Sequence, residues 1–291
     1  MTGLKEAMFY IKKGDGSTCC FLCPHNCVIS PGHRGVCGVR QNIDGCLYSL
    51  IFERVASISL DRIEKKPLRK FHPGSYILSL GSVGCNLQCP FCQNHSIART
   101  KCGQVQTISI KSHDVVEKAL KLTAQGNIGI AYTYNEPSIW YEYVYETAQL
   151  AQTAGLVNVM VTNGFINQEP LRQILRSIDA MNIDLKAYNN RFYADIVKGN
   201  LEDVKNTIKI AASHCHVEIT TLVIPGLNDS VGEISEMSKW LASISPEIPL
   251  HLSRFFPNYQ MTDNTATPLD TLAKLENTAK KYLKNVYIGN V

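Results

Sequence analysis

Several things are missing from this chain of 291 residues, and each absence closes off a class of function. No apolar run approaches the length a membrane-crossing helix needs. The opening "MTGLKEAMFYIKKGDG" has no apolar core of the kind that targets a chain for export. Charge of one sign is also scarce. Lysine and arginine total 29 against 25 aspartate and glutamate, and a net +4 argues against nucleic acid or an anionic membrane as the partner. There are no internal repeats and no low-complexity tract. What remains is a globular composition, 45% hydrophobic and 19% charged, expected in the cytoplasm.

Cysteine is not scarce. There are 11, and without an export signal disulfides do not account for so many, so metal or redox chemistry is the expectation. They fall into groups. Six lie before residue 50, three stand together in "GCNLQCPFCQN", and Cys102 and Cys215 are isolated. The middle group, Cys85, Cys89 and Cys92, has the spacing C-x3-C-x2-C with no fourth cysteine following. A [4Fe–4S] cluster has four irons, so three thiolates leave one iron open for another ligand. Zinc with His95 as fourth ligand is the competing reading. In the first group, Cys20, Cys23, Cys27 and Cys37 form C-x2-C-x3-C-x9-C, with Cys19 and Cys46 as possible substitutes. Four thiolates suit zinc or an iron–sulfur cluster, and zinc is preferred because structural four-cysteine sites are closed. His25, between these cysteines, reads as a surface residue.

From Ser75 onward the pattern alternates. Strand-like runs ("SYILSLGSVG", "NIGIAYTYN", "NVMVTNG", "AMNIDLKAY", "HVEITTLVIPG", "IPLHLSRFFP") are each followed by a helical pattern, and "VYIGNV" offers one more strand. Ser138 is expected to cap the second helix and Gly155 to stop it. Six strand–helix units predict an α/β fold, a partial (β/α)6 barrel with a parallel sheet. Two domains are expected: a cysteine-rich module with its linker over 1–74, and the barrel over 75–291. The basic linker "DRIEKKPLRKFHPGS" reads as a solvated connector, or else as a flap over the barrel mouth. Asn135 and Glu136, Thr162 and Asn163, Asp184 and Lys186, and His251 and Arg254 all fall at the C-terminal ends of strands, where barrel active sites sit.

The three-cysteine run after the first strand, with Phe91 before the last cysteine, resembles the radical S-adenosylmethionine superfamily. "CPHNCVISPGHRGVCGVRQN", "DRIEKKPLRKFHPGS", "AYTYNEPSIWYEY", "MNIDLKAY" and "TTLVIPGLNDS" together resemble the radical enzyme of the AmmeMemoRadiSam group, itself similar to pyruvate formate-lyase activating enzymes. The resemblance implies that S-adenosylmethionine chelates the open iron. Reductive cleavage would then give a 5′-deoxyadenosyl radical that abstracts hydrogen from an unidentified substrate. It implies a flavodoxin or ferredoxin as reductant, and Memo-like and AMMECR-like proteins as partners.

By the same resemblance "YNEP" stands for a G-G-E-like segment, which puts Asn135 and Glu136 near the methionine amino group, with Tyr134 and Asn135 in place of glycines. Phe91, Thr162 and Asn163, Asp184 and Lys186, and His251 are the other implied cofactor contacts, Lys186 toward the methionine carboxylate. Val161 replaces an aspartate of activating enzymes, and Thr220 falls near the place of their arginine, with Glu218 two residues earlier. Two alternatives stay open: an activase that installs a glycyl radical, and a non-catalytic metal-binding scaffold for the same partners.

Overall fold

The computed structural model describes residues 4–100 and 103–291. Cys102 lies outside the described residues.

The alternating pattern folds as expected, around one eight-stranded sheet. Its strands are β1 (Ser57–Arg62), β2 (Tyr76–Gly81), β3 (Asn127–Tyr132), β4 (Val157–Thr162), β5 (Ala180–Asp184), β6 (His216–Val223), β7 (Leu250–Arg254) and β8 (Val286–Gly289), side by side in chain order. Strands β2 to β8 run parallel, because each returns through a helix. The anticipated last strand, "VYIGNV", is β8.

Strand β1 runs antiparallel to β2, with Leu60 opposite Leu78. It comes from the segment assigned to the first domain, so the division at residue 74 cuts through the sheet. The sequence hides this strand: "SISLDR" has no helix after it and so no βα signature.

The helices follow their caps. Asn200 accepts from the N–H of Glu202 (2.8 Å) to start the helix Leu201–Ala212, and Ser230 accepts from Glu233 (3.1 Å) to start Val231–Ile244. Ser138 does not cap its helix. The Glu136 side chain accepts from the Ser138 N–H at 2.9 Å and opens a 3₁₀ turn, Pro137–Trp140, before the α-helix Tyr141–Thr153. Gly155, at φ +74°, ends that stretch as expected.

The linker is neither a solvated connector nor a flap over the mouth. Ile63 and Leu68 are fully buried against Ile77, Ala131, Val159 and Ala180 on the inner face of the sheet. Asn182 donates to the Pro67 carbonyl (2.9 Å), the N–H groups of Arg69 and Lys70 donate to Glu218 (3.0 and 2.7 Å), and Arg69 reaches the Tyr287 ring of β8. Residues 63–71 therefore plug the end of the barrel away from the cysteine loop. A basic composition concealed this, because Lys66 is buried and ion-paired with Asp61 at 2.8 Å.

Ahead of β1, two small three-stranded antiparallel sheets carry the first cysteines. This part is fixed to the barrel by a buried ion pair. Arg40, 1% exposed, meets Glu142 of the helix Tyr141–Thr153, 2% exposed. Arg40 also donates to the Met8 carbonyl (2.7 Å), and Glu142 accepts from the Met8 N–H (2.7 Å). Glu142→Ala leaves a guanidinium buried without its counter-charge, which costs about 3–5 kcal/mol. Urea unfolding of wild type and variant measures it, and a loss below about 1 kcal/mol would show that this ion pair does not hold the two parts together.

Candidate active site

The cysteine loop leaves β2 through Gly84 and Cys85. Gly84 sits at φ +92°, and a Cβ there would lie 2.7 Å from Val39 Cγ1 and 2.9 Å from the Cys37 carbonyl oxygen. Only glycine fits, on both backbone and space grounds. The first cysteine module thus packs directly on the start of the loop.

Cys85, Cys89 and Cys92 lie within electrostatic reach of one another. Burial raises the pKa of all three thiols, that of Cys89 to about 11, since the groups around them offset only part of the cost of a desolvated thiolate. Lys186 opposes the rise at Cys89 and Cys92. The Leu87 N–H (3.4 Å) and the Asn163 side-chain amide (3.6 Å) both donate to Cys85 Sγ. Three thiols, N–H donors aimed at one sulfur and a cation beside the other two fit an iron–sulfur cluster. Among the described residues, no three Cys, His, Asp or Glu side chains converge closely enough to share one metal ion. His95 uses Nδ1 on the Cys92 carbonyl (3.2 Å) and stacks on Tyr259.

The polar strand ends frame this loop. Asn135 accepts from the Ser82 N–H (2.9 Å) and donates to the Gly84 carbonyl (3.1 Å). Glu136, buried, accepts from Ser138 N–H (2.9 Å), Thr162 Oγ1 (2.7 Å) and Asn163 N–H (2.8 Å), so its carboxylate ties the ends of β3 and β4 together. Burial raises its pKa, and those donors oppose the rise. Asn163 also donates to Asn86 Oδ1 at 2.9 Å. Phe91 turns inward against Phe192 and joins the core.

Asp184 and Lys186 pair at 2.6 Å and keep partial exposure. Burial lowers the Lys186 pKa, but the charges of Asp184 and Cys89 outweigh it and hold the ammonium well above its usual value. This pair places an ammonium within electrostatic reach of Cys89 and Cys92. His251 is turned away, with Nε2 on Glu218 at 2.6 Å.

Two residues have parts that the sequence reading did not give them. His25 is half-buried: its Nε2 bonds the Asn86 carbonyl (2.8 Å) and its ring meets Phe165 edge-on. Tyr134 holds φ +70°, a strain of roughly 1–2 kcal/mol for a side chain with Cβ. Its hydroxyl donates to Asp61 (2.6 Å), and the Lys66 ammonium lies over its ring. The signal for Tyr134 was present, in the replacement of a glycine of the G-G-E-like segment.

The pattern that defines the radical SAM superfamily matches residues 80–238. The chain belongs to this superfamily. Its members are enzymes that use a [4Fe–4S] cluster and S-adenosylmethionine, so this radical SAM protein is an enzyme of that kind. It is 40% identical to an uncharacterized protein of Methanocaldococcus jannaschii over 291 residues, covering 99% of this chain and 86% of that one. It is 25% identical to the pyruvate formate-lyase 1-activating enzyme of Escherichia coli over 149 residues, 50% of this chain and 60% of the relative. The fold is similar to that of Streptococcus suis SuiB bound to S-adenosylmethionine, with TM-score 0.58 and 14% identity, over 73% of this chain and 51% of that one. No described helix is long and apolar enough to cross a membrane.

The barrel interior supplies a pH prediction. Burial works against the Glu218 carboxylate, but His216 (3.0 Å), His251 and the N–H groups of Arg69 and Lys70 donate to it and bring its pKa from 4.5 down to about 2. A carboxyl with a depressed folded-state pKa stabilises the fold above its unfolded value, and that contribution fades as pH falls toward the folded one. The gap corresponds to about 3 kcal/mol. Glu218→Gln should lose about that much stability at pH 7 and only about 1 kcal/mol near pH 2.5. Urea melts across that range measure it, and a loss independent of pH would contradict the ionised assignment.

Proposed function

We propose that this enzyme binds a [4Fe–4S] cluster through Cys85, Cys89 and Cys92, leaves one iron to S-adenosylmethionine, and abstracts hydrogen from a substrate brought to the barrel mouth. The observation that carries the reading is the Asp184–Lys186 pair standing beside a desolvated three-thiol loop. When bound, the cluster and S-adenosylmethionine supply a 5′-deoxyadenosyl radical by reductive cleavage. The protein's own part is to hold and orient. Lys186, kept cationic, suits the methionine carboxylate through a charge-assisted hydrogen bond. Asn135 and Asn163 fix the loop that presents the sulfurs. Glu136 acts by binding β3 to β4 and only indirectly on the methionine amino group. Phe91 and His251 support the site from the core and the lumen. Soluble electron donors of the flavodoxin or ferredoxin class, in the cytoplasm, suit such a site.

A second reading, an activase for a glycyl-radical protein, is favoured by the 25% identity to the activating enzyme. Against it, Val161 and Thr220 replace charged residues of activating enzymes, and Thr220 donates its hydroxyl to Asn182 (2.9 Å), where an arginine would offer a charge to the lumen. We therefore favour a substrate supplied through associated proteins, with Memo-like and AMMECR-like proteins as the candidates.

Alanine in place of Cys85, Cys89 or Cys92 should abolish release of 5′-deoxyadenosine by the reduced enzyme. Asp184→Ala and Lys186→Ala should leave the cluster's absorption unchanged while weakening S-adenosylmethionine binding ten- to a hundredfold, the equivalent of about 1.5–3 kcal/mol. Chromatography of the products and calorimetric titration read the two effects. Continued cleavage in the cysteine variants, or unchanged affinity in both others, would reject the assignment. A strong glycyl signal by electron paramagnetic resonance, on mixing the reduced enzyme with a pyruvate formate-lyase-type protein, would promote the activase reading.

A further inference from the structure

The first cysteine group lies against the second. Cys20 is its hub. Its N–H donates to the Cys27 carbonyl (2.9 Å), and its thiol is within electrostatic reach of Cys23, Cys27 and Cys37. The backbone bends tightly round these sulfurs. Asn26 and Gly38 both adopt positive φ (+43° and +74°), and a Cβ on Gly35 would come within 3.6 Å of Cys27 Sγ. Arg40 donates to Cys20 Sγ at 3.8 Å and acts on Cys37. His25 is no ligand here, being committed to the Asn86 carbonyl.

Position favours an iron–sulfur cluster over zinc at the first group, because a redox centre beside the cysteine loop can exchange electrons with it and a closed zinc site cannot.

Asn86, next in sequence to Cys85, faces the Cys23 thiol with its side-chain amide. Asn163 bonds that same amide and Cys85 Sγ. The Cys37 carbonyl packs on Gly84. One side chain therefore separates the two cysteine groups. The outer edge of the first group is open to solvent: Val28 and Val36, the neighbours of Cys27 and Cys37, are 61% and 47% exposed.

We propose that Cys20, Cys23, Cys27 and Cys37 bind a second [4Fe–4S] cluster, coupled through Asn86 to the cluster site at Cys85, Cys89 and Cys92. The coupling rests on the reading of that loop as a cluster site; the occupancy of the first group does not.

Metal analysis after anaerobic reconstitution with iron and sulfide, with zinc present in competition, tests both parts. The full chain should carry about eight irons and eight sulfides. The triple variant C85A/C89A/C92A, its folding checked by circular dichroism, should retain about four of each. Zinc without sulfide in the variant, or about four irons plus one zinc in the full chain, overturns the proposal. So does about four irons with no other metal in the full chain and none in the variant. About four irons in each would uphold the second cluster while sinking the assignment at Cys85. If the variant does not fold, the full-chain count still decides the first part. For the coupling, the fully reduced chain should give a broadened, split resonance signal that differs from the sum of the signals of C85A/C89A/C92A and C20A/C23A/C27A/C37A. A spectrum equal to that sum overturns the coupling.

Discussion

A fully buried primary amide must find partners inside the protein for both its oxygen and its nitrogen, and Asn86 is such a group. Its Nδ2 donates to the Phe165 carbonyl at 2.7 Å and its Oδ1 accepts from Asn163 at 2.9 Å, while its main-chain oxygen accepts from His25. Those partners come from the N-terminal part and from the loop after β4. The cysteine loop is therefore set by a hydrogen-bond requirement at one residue, and β4 and the first cysteine module have to arrive where that residue needs them. Glu136 extends the same logic one strand further, because its carboxylate holds Thr162 and Asn163 in the places from which Asn163 reaches Asn86. A low-dielectric interior makes such a network stiff when every member is satisfied.

The sequence was most informative where a single period or spacing governs structure. Alternating strands and helices gave the barrel, because a parallel strand buried on both faces has to be a continuous apolar run. The C-x3-C-x2-C spacing marked the loop because few other uses call for three cysteines so close together. It was least informative where a polar residue is buried by distant partners. His25 reads as exposed until Asn86 and Phe165 are placed beside it. Lys66 reads as solvated until Asp61 and the Tyr134 ring surround it. Ser138 looked like a helix cap, but Glu136 takes that role because its side chain is already turned toward the turn's N–H by its bonds to β4. The strand Ser57–Arg62 was missed for a related reason. It pairs antiparallel at a sheet edge, so it lacks the helix that made its neighbours visible.

Tyr134 shows how a local rule can be overruled. A left-handed backbone favours glycine, and the corresponding superfamily segment has one. Here the tyrosine hydroxyl donates to Asp61 and the ring lies beneath the Lys66 ammonium, so the side chain repays the backbone strain. The pKa of Asp61 falls well below its usual value although burial works against it, because Lys66 and Tyr134 donate to it. The loop at the mouth of the barrel is in this way connected to the segment that fills its base.

That filled base has a consequence for traffic. With Ile63 and Leu68 packed against the inner wall, and Glu218 holding the backbone at Arg69 and Lys70, the base of the barrel offers no through-passage. Any molecule that reaches the cysteine end therefore leaves from the same side or past the unpaired edges of β1 and β8.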